Sequence, residues 1–384
     1  MGAFFTNAQL AARAIRQPKN DTSADLVFAD PACGAGDLLL HCATFLHKSS
    51  DLAETLREWQ KRLYGTDVEE LFVRAARARL ILAAVAAGAR RTGRTRIGDL
   101  DSLFSHLEIA DGLTHSRGLC GVSQVVLNPP FSKIKVLPGC SWASGGVSSA
   151  AVFLAHALES ADSSAQITAI LPDVLRTGTR YARWRAHVEA QSVVEGVEVY
   201  GLFDAHTDID VFVLRLRVPA DPRRGECEKQ IYPPASWWVE SETDLRLGDF
   251  FEVAVGPVVP HRETNRGNWY PYLHARTAPP WKRMSHIVEH KRFRGRVFSP
   301  PFIVVRRTSG PREASRATAT LVSSGRATAV ENHLLVLRPH DGKLETCERG
   351  LGVLRSDRTN TWLNERIRCR HLTVGAVLGV PWEE

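Results

Sequence analysis

Apolar positions in residues 1–218 follow two alternating patterns. Stretches with apolar residues three and four apart predict helices over 7–17, 37–46, 69–87, 152–160 and 181–190, with Thr6 as the expected N-cap of the first. Short β-branched or continuous apolar runs predict strands at 26–29, 63–65, 122–127, 167–171 and 211–216. Strands that alternate with helices favour an α/β fold, a doubly wound and mostly parallel sheet covered on both faces.

The pattern breaks into polar turn residues around Pro219–Lys229. We therefore expect a first domain over residues 1–218, a linker over 219–230 and a second domain over 231–384. Beyond the linker the apolar spacing is irregular, with short strand-like runs at 302–306 and 334–337. This irregularity favours a second, smaller domain of the α+β class.

Composition narrows the class of protein. The 384 residues are 44% hydrophobic and 24% charged, as in ordinary globular proteins, and no apolar run approaches the roughly 18 residues of a membrane helix. The seven cysteines form no C-x-x-C pair, and the N-terminus lacks a signal-peptide pattern. We therefore expect a cytoplasmic protein with reduced thiols, without a disulfide framework, a zinc ribbon or a membrane segment.

Positive charge is concentrated in the second half of the chain. Residues 1–218 hold 23 basic and 23 acidic residues, whereas residues 219–384 hold 26 and 19, which accounts for the whole net charge of +7. Such an excess indicates a polyanionic partner, and the alternative is a solvated basic surface. Basic residues interleaved with aromatic ones predict nucleic-acid phosphate contacts at Lys282, Arg283, Lys291, Arg292, Arg294 and Arg296.

A loop of small residues follows the first predicted strand and opens a helix. Its sequence is Asp30-Pro31-Ala32-Cys33-Gly34-Ala35-Gly36. Small residues allow a tight turn and close approach of a ligand, and the helix N-terminus adds N–H donors. Because no Gly-Lys-Ser/Thr follows, the loop is not a phosphate loop of the nucleotide-hydrolase type.

Acidic residues stand where the next two predicted strands end. Asp67, followed by Val68, comes after the second strand, where a carboxylate can accept both ribose hydroxyls of a nucleoside. Asp99, followed by Leu100, lies in a further turn, where a strand is again expected to stop, and is suited to an exocyclic amine. A single acid after a strand is more often a helix cap, but this order after a glycine-rich loop favours a nucleoside site.

The tetrapeptide Asn128-Pro129-Pro130-Phe131 follows the strand run at 122–127. Its prolines stiffen the turn and remove backbone donors, so that carbonyl oxygens and the Asn128 amide oxygen can accept hydrogen bonds from an amino group. Phe131 offers a ring on which a base can stack.

Together these segments resemble the amino-group DNA methyltransferases that use S-adenosylmethionine, in the gamma order with the cofactor motifs first and target recognition last. The resemblance implies a Rossmann-like methyltransferase domain in which Phe5 and Thr6 help hold the methionine end of the cofactor. It places Asp67 on the cofactor ribose and Asp99 on its adenine amine. It also implies that Phe203, together with Phe131, contacts a target base flipped out of duplex DNA.

The resemblance implies site-specific transfer of a methyl group to adenine N6, with the restriction–modification enzymes as the nearest group. Alternatives are methylation of cytosine N4, of RNA or of a protein glutamine, and a DNA-binding modification or specificity subunit that is active only with a partner chain. Expected partners are double-stranded DNA and a separately encoded restriction endonuclease or another defence-system subunit. No metal is expected, since His286 and His290 lack a third ligand.

Overall fold

The computed structural model describes residues 6–16, 26–92, 103–115, 119–136, 139–204, 207–220, 235–238, 244–260, 266–323 and 325–382. The chain divides into two compact units. The first comprises Met1–Arg176 and Arg180–Trp237, and the second comprises Thr177–Thr179 and Trp238–Glu384. Within the described residues, no helix is both long and apolar enough to cross a membrane.

The described part of the first unit is built on a seven-stranded sheet of order β3-β2-β1-β4-β7-β9-β8. Its strands are β1 (Phe28–Asp30), β2 (Leu63–Asp67), β3 (Leu107–Ile109), β4 (Gln124–Leu127), β7 (Gln166–Pro172), β8 (Val193–Leu202) and β9 (Asp210–Arg217). The pairings from β3 to β7 are parallel, and only those of β9 with β7 and β8 are antiparallel. The predicted α/β class with a mostly parallel sheet is confirmed.

Helices cover both faces of this sheet. They are α1 (Ala8–Ala14), α2 (Asp37–Cys42), α3 (Leu52–Gln60), α4 (Glu70–Ala86), α5 (Ser149–Ser160), α6 (Asp173–Thr177) and α7 (Ala182–Gln191). Helices α1–α4 form one core with alternate sheet residues such as Val126. Because successive strand side chains point to opposite faces, the equally buried Val125 and Leu127 face the other side. There α5 packs on β7 and α7 packs on α5.

The start of α1 differs from the prediction. Its N-cap is Asn7, whose Oδ1 accepts a hydrogen bond from the Leu10 N–H at 2.8 Å. The expectation that Thr6 caps this helix is therefore wrong. Asn is as good an N-cap as Thr, and capping by Asn7 leaves the Thr6 hydroxyl for another contact.

The first unit extends beyond residue 218. The Trp237 ring lies 5.8 Å from that of Trp184 and 6.3 Å from that of Phe212, centroid to centroid. This aromatic cluster attaches residues 235–237 to the first unit. The predicted linker over 219–230 stays a prediction, because residues 221–230 lie outside the described part of the chain.

The second unit is an α+β structure with two sheets among its described residues. The five-stranded sheet has the order β10-β17-β14-β15-β12, and the three-stranded sheet has the order β13-β11-β16. The strands are β10 (Phe251–Val255), β11 (Asn268–Leu273), β12 (Arg283–Met284), β13 (His290–Phe293), β14 (Phe302–Arg306), β15 (Ala319–Val322), β16 (Ala329–Val330) and β17 (Leu334–Pro339). The helices are α8 (Leu247–Phe250), α9 (Leu344–Arg355), α10 (Asp357–Arg366) and α11 (Val374–Leu378).

Candidate functional site

The candidate site lies at the carboxyl edge of the first unit's sheet. Strand β1 pairs in parallel with β2 on one side and β4 on the other. The loop after β1, the acid at the end of β2 and the tetrapeptide after β4 therefore leave the sheet side by side. A crevice of this kind, outside the carboxyl ends of parallel strands, is where open α/β sheets bind ligands.

The loop after β1 depends on two glycines with left-handed backbone conformations, Gly34 at φ +51° and Gly36 at φ +83°. A Cβ atom on Gly36 would stand 2.9 Å from the Cβ of Ala76, so this glycine lets α4 pack closely against the loop. A Cβ atom on Gly34 would meet no atom within 4 Å. Gly34 thus borders open space in which a ligand can lie against the backbone.

Asp30 is a buried acid at the base of this loop, with 2% of its surface exposed. Its Oδ1 accepts a hydrogen bond from the Ala32 N–H at 3.0 Å, which helps to fix the turn. Burial, with smaller contributions from the neighbouring carboxylates of Asp67 and Asp37, raises the pKa of Asp30 to about 8. Burial likewise raises the pKa of the adjacent Cys33 thiol, which is therefore unsuited to act as a nucleophile.

Asp67 connects the end of β2 to the loop after β1. Its Oδ2 accepts from the Gly34 N–H, and its Oδ1 accepts from the Glu69 N–H, both at 2.9 Å. Two apolar side chains beside it are unusually exposed, Val68 at 64% and Ile109 at 56%, and Ile109 is the register partner of Asp67 on β3. A carboxylate between exposed apolar side chains suits a nucleoside, which presents ribose hydroxyls and a flat base.

The described strand next to β2 is followed by an acid other than Asp99. The strand that pairs with β2 is Leu107–Ile109, and the acid that follows it is the exposed Asp111. Gly112 lies so close to the loop after β1 that a Cβ atom there would stand 1.8 Å from the Pro31 carbonyl oxygen. Asp99 and Leu100 lie outside the described residues, so their assignment stays a prediction.

Asn128, the first residue of the tetrapeptide, is held by Thr6. Its Nδ2 donates a hydrogen bond of 2.8 Å to Oγ1 of Thr6, which is itself buried. With the nitrogen engaged on that side, the Asn128 amide oxygen is turned away from Thr6. Thr6 thus contacts Asn128, and its predicted role at the methionine end of the cofactor stays a prediction. Phe5 lies outside the described residues.

The two prolines of the tetrapeptide differ in their surroundings. The Pro130 carbonyl oxygen accepts a hydrogen bond from the hydroxyl of Ser149, the first residue of α5. No hydrogen bond to the Pro129 carbonyl oxygen forms within the described part of the chain. The oxygens of Pro129 and Asn128 are therefore the candidate acceptors for an incoming amino group.

Phe131 and Phe203 lie together. Their rings meet edge to face with centroids 5.7 Å apart, and Phe203 is buried whereas Phe131 is half-buried. Phe203 comes directly after β8, which carries it across the sheet to the tetrapeptide. Among the described residues, no group of three or more His, Cys, Asp or Glu side chains is arranged to hold a metal ion.

The six basic residues predicted to contact phosphates fall into two sets. Arg283 pairs with Glu348 at 3.0 Å, and Arg296 pairs with Glu252 at 2.8 Å. The remaining four are Lys282, Lys291, Arg292 and Arg294. None of them forms an ion pair with a described residue. The structure therefore favours these four as the cations available to a polyanion.

The aromatic residues interleaved with this basic stretch are mostly structural. Phe293 and Phe298 are 4% and 1% exposed and belong to hydrophobic clusters. The aromatic side chain at the surface is Trp269, 54% exposed, which the sequence reasoning missed. It is the register partner of Arg292 on the β11–β13 pair, and the guanidinium lies 5.5 Å from its ring centroid. The run of aromatic residues Trp269-Tyr270-Pro271-Tyr272 was the available signal in the sequence.

Comparison with known proteins gives both a family and fold relatives. The profile of the N-6 DNA methylase family matches residues 1–228. A comparison with curated proteins finds no match. Among solved structures, the chain is similar to the type IIL restriction–modification enzyme MmeI in complex with DNA, at 10% identity and a TM-score of 0.54, covering 93% of this chain and 62% of that one.

Two further solved structures match more weakly. One is the type IIG restriction endonuclease BpuSI, with 13% identity, a TM-score of 0.49 and coverage of 98% of this chain and 58% of that one. The other is a modification subunit of a type I restriction enzyme from Vibrio vulnificus YJ016, with 15% identity, a TM-score of 0.40 and coverage of 57% and 45%. The chain thus spans between 45% and 62% of the length of these three proteins.

At 10% identity, the likeness to MmeI is evidence for the fold alone, and it covers most of the chain. The family profile is more specific, because its match holds the loop after β1, Asp67, the tetrapeptide and Phe203 in one segment. Since that match covers more than half of the 384 residues, the chain belongs to the N-6 DNA methylase family.

Proposed function

We propose that this protein transfers the methyl group of S-adenosylmethionine to the exocyclic N6 of an adenine in DNA, as part of a restriction–modification system. The observation that carries the proposal is the Asn128 amide, oriented by Thr6 at 2.8 Å and placed one strand away from the glycine loop. This arrangement puts acceptors for an amino group beside the crevice at the carboxyl ends of β1 and β2. Family membership supports the same chemistry.

The residues around the crevice fit S-adenosylmethionine. Gly34 leaves room for a ligand against the backbone, and Asp67 beside it offers a carboxylate for the ribose hydroxyls. Val68 and Ile109 expose apolar surface on which an adenine ring can lie. When bound, S-adenosylmethionine supplies an electrophilic methyl group on a positively charged sulfur.

The tetrapeptide is suited to act on the amine. An exocyclic amine conjugated to a purine is a weak nucleophile, because its lone pair is delocalised into the ring. Acceptance of its two hydrogens by the Asn128 amide oxygen and the Pro129 carbonyl oxygen localises that lone pair on nitrogen. Correct placement for in-line attack then supplies most of the remaining acceleration. The Phe131 face stacks on the base, and Phe203 supports that ring from its edge.

A base inside a duplex cannot reach these acceptors, so the proposed reaction requires the target adenine to be flipped out of the helix. Asn at the first position of the tetrapeptide favours adenine N6 over cytosine N4. The basic surface of the second unit, with Arg292 and Trp269, is the proposed contact for the duplex around the target.

The direct test is transfer of labelled methyl groups from S-adenosylmethionine to duplex DNA by the purified chain, with digestion to nucleosides to identify the product. We expect N6-methyladenine. Asn128→Ala should abolish transfer, while calorimetry should find cofactor affinity close to that of the parent, since the amide is proposed to touch only the target amine. Label in N4-methylcytosine, or full activity of Asn128→Ala, would contradict the assignment. Activity only after addition of a partner chain would favour the modification-subunit alternative.

A second variant tests the cofactor site. Asp67→Ala removes the proposed ribose acceptor and also frees the Gly34 N–H, so cofactor binding should weaken by about 1–3 kcal/mol, the typical loss for unpaired buried polar groups. Asp37→Ala is a suitable control, because this acid lies in the same region but pairs with Arg79 at 2.7 Å. Equal affinities for the parent and Asp67→Ala would remove Asp67 from the site.

A further inference from the structure

The chain forms a small hairpin immediately after the tetrapeptide. Strand β5 (Lys133–Lys135) pairs antiparallel with β6 (Gly146–Ser148), and we call these six residues the tetrapeptide hairpin. Lys133 and Lys135 are two positions apart on one strand, so their side chains share a face, and both are exposed. The hairpin thus presents two cations next to the proposed catalytic residues.

The sequence on either side of these lysines carries no opposing charge. Residues 118–158 contain no Asp or Glu, and Lys133 and Lys135 are the only Lys or Arg among them. Neither lysine forms an ion pair with any residue that the structure describes. Helix α5 begins at Ser149, at the base of the hairpin, with no acid in its first turn, so its N-terminal end adds positive potential.

The hairpin is fastened to the tetrapeptide. The Ser149 N–H donates to the Ser132 carbonyl oxygen at 2.9 Å, and the Ser149 hydroxyl bonds to the carbonyl oxygen of Pro130. On the other strand, the Ser148 N–H donates to the Tyr181 hydroxyl at 3.2 Å. Arg180 donates to the Gly146 carbonyl oxygen at the far end of the same strand. These bonds hold the hairpin in a defined position relative to the residues that would bind the base.

We propose that the tetrapeptide hairpin binds the DNA backbone beside the flipped nucleotide, with Lys133 and Lys135 on two of its phosphates. This inference rests on the proposed function. A base stacked on Phe131 stays attached to its own backbone, and Lys133 is only two residues, at most about 7 Å of chain, beyond Phe131. The two lysines are spaced by about 6.6–6.8 Å along the strand, so each can meet a different phosphate.

The hairpin would therefore supply DNA contacts from the first unit, whose overall charge is balanced. Phosphate contacts fix the register of a protein on DNA without reading sequence. Contacts beside the target nucleotide would hold the backbone next to the flipped base. The opposite reading is a solvated pair of lysines that contributes nothing to binding.

The test compares two double variants of the full-length protein, Lys133→Gln/Lys135→Gln and the control Lys48→Gln/Lys61→Gln. Both remove two positive charges from the first unit. Lys61 precedes β2 and so lies at the amino end of the sheet, away from the tetrapeptide, and Lys48 is exposed in the loop after α2. Affinity for a fluorescent duplex is measured from 50 to 200 mM salt, and methyl transfer is assayed in parallel.

Loss of two phosphate contacts should flatten the slope of log affinity against log salt by about 1.8 for the hairpin variant, so that the parent loses roughly tenfold more affinity than this variant across that salt range. The KM for DNA should rise with kcat changed little, and the control should follow the parent. A hairpin variant with the parental slope would overturn the proposal, as would equal flattening in both variants or binding of RNA but not of duplex DNA. Failure of the proposed function is separate, because it would appear as absent methyl transfer by the parent itself.

Discussion

The buried carboxyl of Asp30 makes a prediction that can be worked out numerically. Its pKa is about 8 in the folded chain, against 3.8 for an ordinary Asp, because burial disfavours the charged form. The folded state therefore holds a proton that the unfolded chain has released at every pH between these two values. The resulting stabilisation is complete below pH 3.8 and is lost as the pH rises through about 8.

The variant Asp30→Asn isolates this effect. An amide keeps an oxygen that can accept from the Ala32 N–H, but it does not titrate. One proton per molecule changes the free energy of unfolding by about 1.4 kcal/mol per pH unit, so the parent should lose about 2–3 kcal/mol relative to Asp30→Asn between pH 5 and pH 7. At a urea dependence of about 2–3 kcal/mol per molar, this is a relative shift of about 1 M in the unfolding midpoint.

The assay is urea-induced unfolding of both full-length proteins at pH 5, 6 and 7, followed by circular dichroism. Asp51→Asn serves as a control, since hydrogen bonds from Thr92 and the Glu54 N–H lower the pKa of this half-buried acid. Asp51 therefore stabilises the fold above its unfolded pKa and loses that effect only at more acidic pH, so its variant should track the parent from pH 5 to 7. If the difference in the free energy of unfolding between the parent and Asp30→Asn stays constant from pH 5 to 7, Asp30 is ionised in the folded chain and the reasoning is refuted.

Two further predictions concern packing and DNA contact. Gly36→Ala should lower the thermal unfolding temperature more than Gly34→Ala does, because both glycines have positive φ but only the new Cβ at position 36 would meet Ala76, at 2.9 Å. For DNA contact, two matched double variants compare exposed arginines. Arg292→Gln/Arg294→Gln removes two that form no ion pair with a described residue, whereas Arg283→Gln/Arg296→Gln removes two that do. The first pair should flatten the salt dependence of duplex binding by up to about 1.8 and the second by less; the reverse order would assign the contact to the paired arginines.

The central strands and the loop after β1 were predictable, because each is encoded by a short local pattern. Short apolar runs, Leu26–Ala29 before Asp30 and Val125–Leu127 before Asn128, are followed by Pro, and such runs become buried strands where helices cover both faces. The predicted bounds of these strands differ from the observed ones by at most two residues.

Elements with weak local patterns were missed. Strand β3 has three residues, of which only Leu107 is buried, too few to form a period. Strand β8 runs over ten residues, but register shifts between Val194 and Gly196 and between Val199 and Gly201 disturb its alternation. In the second unit, burial of Phe293 and exposure of Trp269 depend on which strands pair, and pairing between distant segments has no local signature.

The bond between Thr6 and Asn128 joins residues 122 positions apart and explains why an N-terminal segment matters to the proposed chemistry. An isolated Asn side chain can present either its oxygen or its nitrogen to a substrate, and only the oxygen can accept hydrogen bonds from an amine. The Thr6 hydroxyl is released for this purpose because Asn7 caps α1 instead. The proposed reaction therefore depends on Thr6, a residue that its sequence motif assigns to cofactor binding alone.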